Sequence, residues 1–303
     1  METIYMSNED LKRMKMINEG TDGVIYKPQI KEFNGFFFKI YKKESVALRD
    51  AQYRADNSYK VEYDDEGVNI ADNRAFFKKR SYHIGYQGAN YYDEDNVKLR
   101  AEDAISKAIQ KQTQVRLTSL PTACIFIDGR FRGVVIKEHK HTIPIQNIAI
   151  LPFKEKMRVL RELLDELDEL YKNYIYHIDL SVKPITKFRE ANVLVNISFH
   201  PHPVIIDVDG KSAVYTEREN LYYYHESVKS YMSLVKQILF DIDVEEIDDD
   251  DLDYLRSKLE SIQLNKKLIG QIVDSTVETV PDARGFLDEI EALDKDTRKG
   301  IRI

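Results

Sequence analysis

The sequence predicts an α+β protein in which an antiparallel β-sheet comes first and helices follow. Three observations carry this prediction: apolar runs around turn residues in the first half, a long amphipathic helix that starts after Pro152, and helical patterns from about Leu221 onward. A sheet followed by helices predicts two lobes, 1–140 and 141–303, with their connection at 138–144.

The composition is that of a globular protein. The chain has 303 residues, of which 43% are hydrophobic and 32% are charged, enough for two lobes with separate cores. A net charge of -7 argues against a nucleic-acid partner. No stretch approaches the roughly 20 apolar residues of a membrane span, so we expect no membrane span and a cytoplasmic location. Cys124 lies in an apolar run and is expected to be a buried thiol.

Two hairpin signals predict the sheet of the first lobe. The apolar runs 24–26 and 36–40 are separated by a turn around 34–35, which indicates an antiparallel meander. The segment 121–137 contains two further apolar runs around the Asp-Gly pair at 128–129, which is the strongest hairpin signal in the chain. These runs add two strands to the sheet.

A polar insertion interrupts this lobe. Residues 42–96 are rich in Asp, Tyr and Lys and follow no single period, whereas 97–117 return to a helical pattern. We therefore expect an insertion followed by one helix.

The second lobe is predicted from a helix with one apolar stripe. Residues 154–171 place Leu and Met at helical spacing, and short apolar strands follow at 193–195 and 204–206. The acidic run 245–253 is expected to be a solvated loop that opens a helix around 252–259.

A glycine segment and a lysine point to phosphate binding. Gly20 and Gly23 lie between strands, where glycine lets backbone amides approach a phosphate, although an ordinary hairpin turn explains the same pattern. Lys39 stands inside an apolar strand, where a lysine needs an anion. The alternative is a lysine that extends from a sheet edge into solvent.

Two later motifs place polar side chains on loops. Asp179 follows the long helix in a His-Ile-Asp-Leu sequence and Asn192 opens the next strand, which suits a catalytic base and a metal ligand. Asp207 leaves an apolar strand for a turn that contains Gly210, a natural position for a magnesium ligand. Each motif alone also fits a common turn or cap.

The order of these motifs resembles that of protein kinases. A glycine loop, a strand lysine, a helix, a hairpin, a connection, a long helix, His-x-Asp with a later Asn, and a strand ending in Asp follow one another as in that superfamily. The resemblance covers 16–210 and extends loosely over the rest. It is to an atypical bacterial or phage Ser/Thr kinase-like protein, and it implies a bilobal protein-kinase-like fold.

The resemblance implies ATP and Mg²⁺ as cofactors. Asn18, Gly20 and Gly23 would cover the nucleotide phosphates, with Asn18 at the position of the first loop glycine. Glu138 and His139 would lie at the connection between the lobes, where kinase backbone groups meet adenine.

The same resemblance implies catalytic roles. Lys39 would contact the α- and β-phosphates and pair with a glutamate, Glu102 or alternatively Glu94. Asp179 would orient and deprotonate the acceptor hydroxyl. The metal ligands would be Asn192 and Asp207, and His177 would be a structural pin of the catalytic loop.

Three features depart from the kinase pattern. Asp179 and Asn192 are separated by more than the usual spacing of about five residues, so the intervening segment must loop out. Ile178 stands where an arginine commonly reads a phosphorylated activation loop. Asp209 occupies the glycine position of the usual Asp-Phe-Gly triplet, and the following segment is short.

Three functions stay open from the sequence. The first is an atypical protein Ser/Thr kinase with a lengthened catalytic loop and a short activation segment. The second is a small-molecule kinase, since such enzymes also use a His-x-Asp loop, and the third is a pseudokinase that serves as a binding module. The phosphate acceptor, whether a protein or a small molecule, is not named by the sequence.

Overall fold

The computed structural model describes residues 3–20, 23–42, 61–64, 67–70, 109, 115–180, 192–208, 212–216, 218–240, 249–261, 264–273, 277 and 279–300. The chain divides into two compact units. Unit 1 comprises Met1–Lys140, Leu170–His177 and Ile206–Asn220, and unit 2 comprises His141–Glu169, Ile178–Ile205 and Leu221–Ile303.

Unit 1 contains a six-stranded sheet. Its strands lie in the order β1-β7-β8-β4-β3-β2. Its six strands are β1 (Thr3–Met6), β2 (Lys15–Glu19), β3 (Gly23–Lys27), β4 (Phe36–Tyr41), β7 (Ala123–Ile127) and β8 (Arg130–Lys137). Strands β5 (Val61–Asp64) and β6 (Gly67–Ile70) form a separate pair. Neighbours from β7 to β2 are antiparallel, which confirms the predicted meander and the two added strands.

The β7–β8 hairpin forms where its turn residues predict it. Asp128 and Gly129 both have positive φ, of 50° and 77°, as a two-residue hairpin turn requires. The strands that flank the turn carry core side chains, and Cys124 is fully buried among them, as expected. The Asp-Gly pair therefore forms the turn that joins β7 to β8 in the sheet.

The N-terminal segment adds two elements that the sequence patterns did not indicate. Strand β1 pairs in parallel with β7, and helix α1 (Asn8–Lys12) follows it. Ser7 and Asp10 form a capping box at the start of α1. A strand of four residues and a helix of five are too short to display a clear period, so tertiary pairing decides them.

The predicted insertion contains a hairpin, since β5 and β6 pair antiparallel inside 42–96. The predicted helix 97–117 is wrong at its end, because 115–117 are not helical. Pro121 biases the chain before it toward extended backbone, and the chain must enter β7 at this point. Ile109 lies in a helix. The other residues from 97 to 114 lie outside the described residues.

A short two-stranded ribbon completes the described strands of unit 1. It pairs β10 (Ile175–His177) with β13 (Ala213–Tyr215). His177, the predicted structural pin of the catalytic loop, is the last residue of β10. Three residues are too few to show the alternating pattern of a strand, so the sequence alone does not predict β10. The strand is identified by its pairing with β13.

Unit 2 combines a small sheet with helices. The sheet has the order β12-β11-β9, from strands β9 (Thr142–Pro144), β11 (Val193–Asn196) and β12 (His202–Ile205). The helices are α2 (Phe153–Lys172), α3 (Leu221–Phe240), α4 (Asp249–Ser261), α5 (Lys266–Val273), α6 (Val280–Ala292) and α7 (Lys295–Gly300). The last three residues of α2 belong to unit 1. The predicted apolar stripe of α2 is buried throughout: Met157, Leu160, Leu163, Leu164, Leu167 and Leu170.

The acidic run 245–253 is not wholly a loop, which corrects the prediction. Asp249 begins α4, so the last five residues of the run are helical. Carboxylates in a first helical turn interact favourably with the positive end of the helix dipole, which explains why this acidic segment folds. Residues 245–248 lie outside the described part of the chain.

The structure confirms the predicted α+β class, with an N-terminal mixed sheet and a helical C-terminal region. None of the helices in the described ranges combines the length and the hydrophobicity that crossing a lipid bilayer requires.

Candidate functional site

Lys39 and Asp207 form an ion pair in unit 1. The Nζ atom of Lys39, on β4, donates to Oδ1 of Asp207, although 168 residues separate the two in the chain. The side chain of Lys39 is 12% exposed and that of Asp207 is 33% exposed. A lysine between the buried residues Phe38 and Ile40 thus finds the anion that its position in an apolar strand requires.

The Asp207 carboxylate is held in its ionised form. Its backbone has φ 58°, in the left-handed region, and its Oδ2 accepts a hydrogen bond of 3.0 Å from Ser212 Oγ. Burial alone would raise the pKa of Asp207, but the charge and hydrogen bond of Lys39, then Ser212 and His177, hold it below 3.8. The side chain is therefore an ionised carboxylate at neutral pH, and this form attracts the Lys39 ammonium group or a metal cation.

This lowered pKa makes a testable prediction about acid stability. A group whose pKa is lower in the folded than in the unfolded chain stabilises the fold above the unfolded value, and this stabilisation disappears as the pH falls through the folded value. At pH 7 we expect Asp207→Asn to lower the melting temperature by about 2–6 °C. The difference from wild type should decrease as the pH falls below 3.8, the ordinary pKa of the group.

The measurement is thermal unfolding of wild type and Asp207→Asn at a series of pH values. Asp253→Asn, which changes an exposed carboxylate on α4, is the control for a general charge effect. A difference that stays constant down to pH 2 would contradict the assignment of the stabilisation to the ionised Asp207.

His177 is fully buried and bonds to the backbone of Ile206, the residue before Asp207. Its Nε2–H donates to the carbonyl oxygen of Ile206 at 3.0 Å. The hydrogen bond links His177 to the residue directly before Asp207. His177 and Ile206 both belong to unit 1.

The glycine segment forms the end of the β2–β3 hairpin. Gly20 N–H donates to the carbonyl oxygen of Gly23 at 2.9 Å, and Asn18 lies within β2, where its side chain accepts from the Glu19 N–H. A Cβ atom at Gly23 would lie 2.9 Å from the Ile40 carbonyl oxygen. Gly23 is therefore required by strand packing, whether or not it also meets a phosphate.

Glu138 and His139 follow the last residue of β8. The Glu138 N–H donates to the Gly35 carbonyl at 2.8 Å, and its carboxylate contacts Lys27 Nζ at 2.6 Å. The hydrogen bond from Lys27 lowers the pKa of Glu138. His139 Nε2 lies 2.7 Å from Ser119 Oγ.

Asp179 and Asn192 come together in unit 2 although 13 residues separate them. Asn192 Nδ2 donates to the Asp179 carbonyl oxygen at 2.7 Å. The next residue, Leu180, donates its N–H to Ser230 Oγ on α3 at 2.7 Å. The side-chain nitrogen of Asn192 is thus hydrogen-bonded. The other polar atom of the side chain, Oδ1, is of the type that binds a hard cation such as Mg²⁺.

Several predicted residues lie outside the described residues. Glu102 and its alternative Glu94 are among them, so the glutamate partner of Lys39 stays a prediction. Asp209 and Gly210 are also outside, as is the segment 181–191, so the prediction that this segment loops out stays a prediction.

Each of the two predicted metal ligands carries an oxygen that suits magnesium chemically. Mg²⁺ prefers oxygen ligands and is commonly held by one or two carboxylates together with substrate phosphates. Asp207, in unit 1, has an ionised carboxylate. Asn192, in unit 2, has a side-chain amide oxygen. No group of three or more His, Cys, Asp or Glu in the described ranges could hold a metal by protein ligands alone.

Sequence reasoning missed four residues around these sites. Ser212 and Ser230 bond to Asp207 and Leu180, and neither serine stands in a pattern that marks it. Tyr215 donates through its hydroxyl to the Val208 carbonyl. Gly133 lies inside β8, and a glycine within a strand is a signal of close backbone approach that was available from the sequence.

Comparisons with known proteins support no family assignment. No family model matches the sequence, and no curated protein matches it. Among solved structures, the chain is similar to the apo form of a pseudokinase, with 11% sequence identity and a TM-score of 0.44 over 99% of this chain and 93% of that chain. A likeness this distant carries no function to this chain.

Proposed function

We propose that this protein is an ATP- and Mg²⁺-dependent phosphotransferase, an atypical protein Ser/Thr kinase. The observation that carries the proposal is the ion pair between Lys39 and Asp207. The order of motifs implies a phosphate-binding role for Lys39 and a metal-binding role for Asp207, and the two side chains are in direct contact in unit 1.

The second support is the joining of Asp179 and Asn192. A lengthened segment separates these residues, yet the side chain of Asn192 bonds to the backbone of Asp179. The departure in spacing is therefore compatible with a loop that keeps both residues together, as the kinase pattern requires.

In the proposed reaction each residue has one task. Lys39 binds the α- and β-phosphates of ATP, and Asn18, Gly20 and Gly23 cover the phosphates with backbone groups. Asp179 orients the acceptor hydroxyl and takes its proton as the new O–P bond forms and the bond to ADP breaks. These residues act by position and charge.

Asp207 and Asn192 are the proposed magnesium ligands, and Glu102 is the proposed partner of Lys39. Bound magnesium would neutralise charge on the β- and γ-phosphates. Glu138 and His139 are proposed to meet adenine. The acceptor is a protein or a small molecule.

The test is transfer from γ-labelled ATP in the presence of Mg²⁺. We expect the purified wild-type protein to label itself or an added protein, and Asp207→Ala to lose at least about a thousandfold of this activity. Asp253→Ala, with an exposed carboxylate on α4, is the control.

The other outcomes identify the alternative functions. ATP hydrolysis without protein labelling would favour a small-molecule kinase. ATP binding by thermal shift without transfer or hydrolysis would favour a pseudokinase that serves as a binding module, and a wild-type protein that neither binds nor turns over ATP would refute the proposal.

A further inference from the structure

Hydrogen bonds from the β10–β13 ribbon hold the segment 206–208 at three successive residues. His177, at the end of β10, bonds to the backbone of the first residue. Ser212, directly before β13, donates to the carboxylate of Asp207. Tyr215, at the end of β13, donates to the backbone carbonyl of Val208. His177 also pairs with Ala213 across the ribbon. One small, hydrogen-bonded element thus fixes the segment.

We propose that Ser212 and Tyr215 are positioning residues, which hold the Asp207 carboxylate in the orientation that binds a divalent cation. This inference rests on the proposed function, because it assumes that Asp207 is the metal ligand. Neither residue would touch the nucleotide or the metal in this role.

The two carboxylate oxygens of Asp207 have different partners. Oδ1 accepts from Lys39, and Oδ2 accepts from Ser212. Each carboxylate oxygen has two lone-pair sites, so a second ligand can still approach. Without the Ser212 hydroxyl, the carboxylate could rotate about its terminal torsion, which is intrinsically broad. Ser212 therefore selects one rotation of the carboxylate.

Tyr215 acts on the backbone beside Asp207. The left-handed conformation at Asp207 is uncommon for a residue other than glycine, so surrounding contacts must maintain it. The bond from Tyr215 to the Val208 carbonyl is one such contact, and the side chain of Tyr215 is 5% exposed. The hydroxyl is thus well placed to set the direction in which Asp207 projects.

The two residues allow clean substitutions. Ser212→Ala and Tyr215→Phe each remove one hydroxyl and add no atoms, so neither creates a steric conflict. The matched controls are Ser198→Ala and Tyr171→Phe, which remove hydroxyls that bond to Asn196 and Glu219 and not to the segment 206–208.

The test compares ATP binding with and without metal. Full-length wild type and variants are titrated with ATP by calorimetry, once with excess Mg²⁺ and once with EDTA. We expect Ser212→Ala and Tyr215→Phe to weaken binding about tenfold with Mg²⁺, and by less than about twofold in EDTA, since only the metal-dependent part needs an oriented Asp207. The controls should match wild type in both conditions.

A merely structural role would weaken binding equally in both conditions, and that result would overturn the inference. Mg²⁺-dependent binding that is unchanged in both variants would overturn it as well, while leaving the proposed function intact. If the wild-type protein binds no ATP in either condition, the proposed function fails, and the inference fails with it.

Discussion

Lys39→Met is expected to reduce phosphoryl transfer by about a thousandfold or more, with a change of only a few degrees in melting temperature. Phosphoryl transfer depends mainly on positioning and on neutralising phosphate charge, so loss of a buried cation removes transition-state stabilisation. Methionine keeps most of the length and the apolar stem, which preserves packing in β4. Asp207 keeps its hydrogen bond from Ser212.

The measurement is the rate of transfer from γ-labelled ATP, together with thermal unfolding of each variant. Lys12→Met is the control, because Lys12 is exposed on α1 and forms a surface ion pair with the neighbouring Glu9. We expect Lys12→Met to stay within about twofold of wild type. A Lys39→Met variant that retained full transfer would exclude the proposed phosphate role of Lys39.

Gly133→Ala is expected to destabilise unit 1 by about 3 kcal/mol. A Cβ atom at Gly133 would lie 2.2 Å from the Lys39 carbonyl oxygen and 3.0 Å from Ile40 Cα. Both are backbone atoms, so the clash cannot be relieved by rotation of a side chain. Strands β8 and β4 must separate, and the ladder that carries Lys39 must shift.

Urea unfolding of wild type, Gly133→Ala and Gly35→Ala measures this effect. Gly35 is also in unit 1, with φ 91°, and a Cβ atom there would meet no atom within 4 Å. Gly35→Ala should therefore cost only the strain of a left-handed backbone, about 1 kcal/mol. Equal losses in the two variants would show that the steric conflict at Gly133 is unimportant.

Local patterns predicted the elements that have strong local causes. The Asp-Gly pair at 128–129 predicted its hairpin because few residues tolerate two successive positive φ values. The apolar stripe of α2 predicted its buried face because helical spacing brings those side chains together. The elements that were missed, such as β1 and β10, are short and exist through pairing with a distant strand.

The candidate site was predicted only in part. Lys39 was identifiable because a lysine inside an apolar strand requires an anion, and Asp207 because a carboxylate followed a strand. Ser212 was not identifiable, since a serine in a polar turn is common. The lobe boundaries, the cofactors and the catalytic, nucleotide-binding and metal-binding roles of all the site residues stay predictions.

The sequence by itself determined the α+β class, the order of sheet and helices, and the set of residue types suited to phosphate chemistry. These follow from propensities and periods that act over a few neighbouring residues. Only the tertiary structure decided that Lys39 meets Asp207, that Asn192 reaches Asp179, and which residues support them. Contacts across such distances depend on how all the intervening segments pack, and no local pattern encodes that information.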